Sequence, residues 1–103
     1  FGDKDTIALQ TKYFVKSLQL IRRFYNGKIL VISISNSPKR LDPLIIENAK
    51  REAANINLQN ISFLDVGKVL DIKDNYYFDG HLTKSGHQKV AIQLINFIQN
   101  SNF

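Results

Sequence analysis

The chain has no cysteine among its 103 residues, which removes disulfides, thiolate metal ligands and thiol nucleophiles together. Proline and glycine are scarce, at two and five residues, and neither a repeat, a low-complexity tract nor a linker is visible. No apolar run approaches the ~18–20 residues that a bilayer span needs, and no basic stretch followed by an apolar core opens the chain as an export signal would. Methionine is missing even at position 1, so a processed or excised segment is expected.

What is present fits one ordinary domain near the lower end of the usual size range, 44% hydrophobic and 22% charged. Lysine and arginine number 14 against 9 acidic residues, a formal charge of +5. Such a surplus can mark a nucleic-acid or other anionic partner. The cations are scattered along the chain, however, as pairs at Arg22-Arg23, Lys39-Arg40 and Lys50-Arg51, and the scatter argues against a nucleic-acid face.

Helical and strand periods alternate. Phe14, Leu18, Ile21 and Tyr25 recur at helical spacing between about Thr11 and Tyr25, and Asn26-Gly27 supplies a stop. Lys28 to Ile34 is a nearly continuous β-branched run of the type found in strands buried on both faces. Asp42-Pro43 has the chemistry of a helix start, with Ile46, Ala49, Ala53 and Ile56 on one face behind it. Ile61 to Val66 reads as a second strand and Gly67 to Phe78 as a longer loop. A last helix is expected from near Thr83 to about Gln99, with Val90, Leu94 and Phe97 on its stripe.

Helix, strand, helix, strand, helix with short connections predicts α/β architecture with parallel strands. A brief strand end before Phe1-Gly2 is also expected. Two or three strands would be few for a doubly wound sheet. Exposed apolar edges would then favour self-association.

The chemistry concentrates in Tyr77-Phe78-Asp79-Gly80-His81-Leu82-Thr83-Lys84-Ser85-Gly86-His87. A carboxylate and an imidazole two residues apart, in a loop that ends where a helix begins, can hold the histidine in one tautomer and leave Nε2 free to take a proton from a nucleophile. Asp-Gly is equally a common turn dipeptide, and on that reading His81 is an ordinary polar loop residue. The adjoining Tyr76, Tyr77 and Phe78 can line an acyl or sugar pocket or simply pack the loop. Asp79, His81 and His87 also lie within nine residues, but spacing supplies no third ligand geometry, and His87 is expected to pack against a neighbour rather than bind a metal.

Asp79-Gly80-His81-Leu82-Thr83 with Gly86, His87 and Ala91 resembles the last signature block of the SGNH (GDSL-type) hydrolases, in its Asp-x-His variant seen in polysaccharide O-acetyltransferases and related esterases. Phe1-Gly2-Asp3-Lys4-Asp5 resembles that family's third block, Gly-x-Asn-Asp, with Lys4 in the place of the asparagine. Setting the same residues on the first block, Gly-Asp-Ser, with Lys4 in place of the nucleophile, would require second and third blocks that the chain lacks. The likeness covers almost the whole chain, but only the rear portion of a family domain.

This resemblance implies a flavodoxin-like three-layer α/β/α fold, here a partial domain over residues 1–103, and a serine esterase or O-acyltransferase. Asp79 and His81 would supply the acid and base of the triad, and Lys4 would stand where an oxyanion donor is usual. The substrate would be an ester or acylated carbohydrate, no cofactor would be required, and a periplasmic or secreted location would follow.

The family's first two blocks, with the serine and a glycine oxyanion donor, are not found in these residues, so the chain by itself is expected to be inactive and to need the upstream half of the domain. Ser33, Ser35 and Ser37 lie near a strand end but in neither a Gly-Asp-Ser nor a Gly-x-Ser-x-Gly setting. The alternative is a non-catalytic small α/β binding module with a basic surface.

Overall fold

Helix α1 (Asp3–Phe24) starts well ahead of the expected Thr11, and its buried stripe is rotated from the expected one. The computed structural model describes residues 3–35, 42–75, 81–101 and 103, divided into two compact units. The first comprises Phe1–Ser33 with Lys39–Leu64, the second Ile34–Pro38 with Asp65–Phe103.

In the first unit, Thr11, Val15 and Leu18 are the buried side chains of α1, whereas Ile21 and Tyr25, expected inside, are exposed. Helical periodicity admitted either stripe, because α1 carries apolar residues on two sides. The choice falls to α2 (Asp42–Asn55), which packs on α1 and buries Ala49 and Ala53. Two alanines four residues apart leave a flat strip against which a second backbone can lie closely. The buried Thr11 hydroxyl is satisfied within its own helix, donating to the Ile7 carbonyl at 2.7 Å.

The C-terminus of α2 follows from Asn57, whose φ of 59° a short polar side chain tolerates. The Asn57 N–H donates to the Ala54 carbonyl and the Leu58 N–H to the Ala53 carbonyl. This Schellman arrangement satisfies carbonyls that the helix end leaves open.

Strands β1 (Ile29–Ser33) and β2 (Ile61–Asp65) form a two-stranded parallel sheet, with α2 as the crossover. The mixed α/β class is therefore correct. Burial of the strands on both faces is not observed. Most residues of the pair are half-buried, Ile32 is exposed, and Ser33 is the one fully buried. Among the described residues each strand has a neighbour on one edge alone, too little sheet to enclose a β-branched run. The strand expected before Phe1-Gly2 falls outside the described residues.

Arg22 holds the loops of this unit. Its guanidinium donates to the carbonyls of Tyr25 at 2.6 Å and Gly27 at 2.9 Å, after α1, and to that of Gln59 at 2.8 Å, before β2. One planar fork thus serves two connections, which a point-charge ammonium could not do.

In the second unit the expected loop after β2 is shaped by two 3₁₀ turns, Gly67–Val69 and Ile72–Asp74, with Val66 and Leu70 buried. Helix α3 (Lys84–Asn100) lies within one residue of its expected span. Val90, Leu94 and Phe97 are half-buried, and the Phe103 ring returns to Phe97 with centroids 5.8 Å apart.

Candidate active site

The N-terminus of α3 is built on one carboxylate. Asp74 has no solvent-accessible surface, and both of its oxygens are engaged. Oδ2 accepts from the Asp71 N–H at 2.7 Å and from Lys89 Nζ at 2.7 Å, while Oδ1 accepts from the Ser85 hydroxyl at 2.6 Å. Ser85 and Lys89 reach the same acid because residues four apart share a face of the helix.

These donors, first the Asp71 N–H, then Lys89 and Ser85, hold the Asp74 carboxyl well below its ordinary value of 3.8 against the opposing effect of desolvation. Lys89 is shifted upward for the reciprocal reason, chiefly its hydrogen bond to Asp74, with Asp71 at 3.2 Å adding to it. The Lys89 side chain is about one-third exposed, so the pair sits under the surface rather than deep in a core.

The backbone around this carboxylate is pinned as well. The Thr83 N–H donates to the Asp74 carbonyl at 2.8 Å. Thr83 is also the N-cap of α3, its Oγ1 accepting from the Gly86 N–H at 3.3 Å. Its hydroxyl lies 3.2 Å from the Lys73 carbonyl and 3.0 Å from Ser85 Oγ. Gly86 completes the fit, because a Cβ there would drive into the Asp74 carbonyl.

His81 stands directly before this structure. Leu82, its neighbour, forms an antiparallel bridge with Asn75, so the two ends of the connection from 75 to 82 are tied to each other. His81 is exposed, and it makes an interaction of its own. Asp79, the expected acid, lies outside the described residues, as do Tyr76, Tyr77 and Phe78.

His87, expected to pack against a neighbour, is exposed on α3 instead. The helix face that meets the 3₁₀ turn is taken by Gly86 and Lys89, which turns His87 outward. Among the described residues no group of three or more His, Cys, Asp or Glu is gathered to hold a metal ion.

Lys4 is exposed in the first turn of α1, in the first unit. Ser33 is buried at the end of β1, Ser35 half-buried, and Ser37 outside the described residues. Asp71, Asp74 and Lys89 carry no expectation from the sequence, and Ser85 only its place at the start of the last helix. The available signal was Ser85 and Lys89 at helical i,i+4 spacing behind an Asp-rich turn, a pattern that asks for a shared carboxylate.

No protein-family model, curated protein or solved structure matches this chain.

Proposed function

We propose that this chain is the acid- and base-bearing segment of an SGNH-type serine esterase or O-acyltransferase, part of a flavodoxin-like three-layer domain. The observation that carries the reading is Asp79-Gly80-His81-Leu82-Thr83 running directly into a helix capped by Thr83. It is supported by the Asn75–Leu82 bridge and the Thr83–Asp74 hydrogen bond, which fix the two residues that follow His81. A general base needs such fixity, because a misplacement of about 1 Å costs on the order of 10² in rate.

In the proposed reaction a serine from outside these 103 residues attacks an ester carbonyl and His81 accepts its proton. Asp79 orients the imidazole and stabilises the imidazolium. His81 then returns the proton to the leaving alkoxide, and water or a sugar hydroxyl takes the acyl group in the second half-reaction. By the resemblance, Lys4 stands where an asparagine amide would donate to the developing oxyanion.

The test is hydrolysis of p-nitrophenyl acetate by the polypeptide that joins residues 1–103 to the serine-bearing region. His81→Ala should lower kcat/KM by at least ~10³, and a loss below about tenfold would remove His81 from the reaction. In the same assay Lys4→Ala should lower kcat more than it changes KM; unchanged kcat would return Lys4 to the solvated surface.

A further inference from the structure

The charge of this protein is divided unevenly. The first unit holds ten of the lysines and arginines and five of the acids, the second four of each, so the whole surplus of +5 belongs to the first unit. Part of that surplus lies along one flank of α1.

Leu9, Tyr13, Leu20 and Phe24 of α1 are all exposed, Phe24 to 84%. On a helix turning about 100° per residue they fall within an arc of roughly 60° and along a line roughly 22 Å long, on the side opposite Thr11, Val15 and Leu18. Lys12, Lys16 and Arg23, likewise exposed, occupy the adjoining ~40° of the same helix, with Asp5 as the acid on that flank. Three of the five cations of α1 thus stand beside an apolar stripe.

We propose that this face of α1 is a docking surface for an anionic lipid bilayer. A second copy of the chain would cover the apolar stripe but set Lys12, Lys16 and Arg23 among cations of their own kind. A nucleic acid would answer the cations and leave Leu20 and Phe24 against water or phosphate. An anionic bilayer supplies phosphates at the level of the cations and hydrocarbon just beneath them, over a plane long enough for the stripe. The attachment proposed is peripheral, and no described helix is long and apolar enough to cross a membrane.

Co-sedimentation of the full chain with vesicles of equal parts phosphatidylglycerol and phosphatidylcholine tests this, against vesicles of phosphatidylcholine alone. Binding is expected to the first, to weaken at high salt, and to be slight to the second. Lys12→Gln with Lys16→Gln should reduce the partition coefficient about thirtyfold, at ~1 kcal/mol for each cation near the surface. Leu20→Ser with Phe24→Ser should reduce it at least ~10-fold.

All four side chains are exposed, so circular dichroism of both variants should match the parent. Equal binding to neutral vesicles, binding that survives both double variants, or binding that is lost in the polypeptide that joins residues 1–103 to the serine-bearing region, overturns the proposal. So does a dimer by light scattering that Leu20→Ser with Phe24→Ser dissolves while vesicles are ignored. Oligonucleotide binding without vesicle binding, lost in the lysine variant alone, would likewise transfer the surface to a nucleic acid.

Discussion

Replacing Gly86 by alanine tests the architecture of the candidate site, because helix propensity and tertiary packing predict opposite signs. Gly86 lies inside α3, where glycine is about 0.8–1.0 kcal/mol less favourable than alanine, so propensity alone predicts stabilisation. The added Cβ would stand 3.0 Å from Leu82 Cδ2 and 3.2 Å from the Asp74 carbonyl carbon, with the Asp74 carbonyl oxygen closer still.

The leucine methyl can rotate away. The carbonyl cannot, because it accepts the Thr83 N–H and belongs to a residue whose side chain is held by Asp71, Ser85 and Lys89. To restore an ordinary contact of about 3.5 Å the first turn of α3 must retreat by about 1 Å. Such overpacking costs about 1–3 kcal/mol, and a lost or stretched Thr83–Asp74 hydrogen bond adds about 1 kcal/mol.

The net expectation is a loss of about 2 kcal/mol, which for a domain of this size lowers Tm by on the order of 10 °C. Thermal and urea unfolding followed by circular dichroism measure it, with exposed Ser17→Ala on α1 as a propensity control that should change stability by only a few tenths of a kcal/mol. A Gly86→Ala protein as stable as the parent, or more so, would refute the close seat of α3 on the Asp74 turn.

Two further outcomes follow from the same interactions. The Asp74 carboxyl is depressed in the folded state, so its contribution is intact above the ordinary value of 3.8 and is lost as pH falls from there toward the lower folded value, where the unfolded chain takes up a proton that the folded chain refuses. Asp74→Asn should therefore be less stable than the parent at neutral pH and show a shallower decline between about pH 4 and pH 2; parallel acid limbs in urea titrations would contradict this. Arg22→Lys should destabilise nearly as much as Arg22→Ala, by about 1.5–3 kcal/mol, since an ammonium cannot bridge the Tyr25, Gly27 and Gln59 carbonyls together; full rescue by lysine in chemical unfolding would show that charge alone suffices there.

Local chemistry made the order of elements legible from residues alone. The β-branched run after Asn26-Gly27, the Asp42-Pro43 start and Thr83 ahead of an apolar period each dictate a boundary through backbone sterics or an open hydrogen bond, and the described elements begin or end close to them. The place of His81, two residues ahead of the Thr83 cap, is legible on the same terms.

What residues by themselves could not decide was which of two admissible faces would be covered. On α1 both stripes satisfy the helical period, and only the strip of Ala49 and Ala53 on α2 selects Thr11, Val15 and Leu18, leaving Leu9, Tyr13, Leu20 and Phe24 outside. Asp74 is a similar case. Nothing in its neighbours along the chain marks it off from Asp71, and it becomes the buried anchor of α3 because folding brings Ser85 and Lys89, eleven and fifteen residues later, onto its two oxygens. Periodicity and capping act over a few residues, whereas burial and ion pairing depend on partners that only tertiary packing supplies.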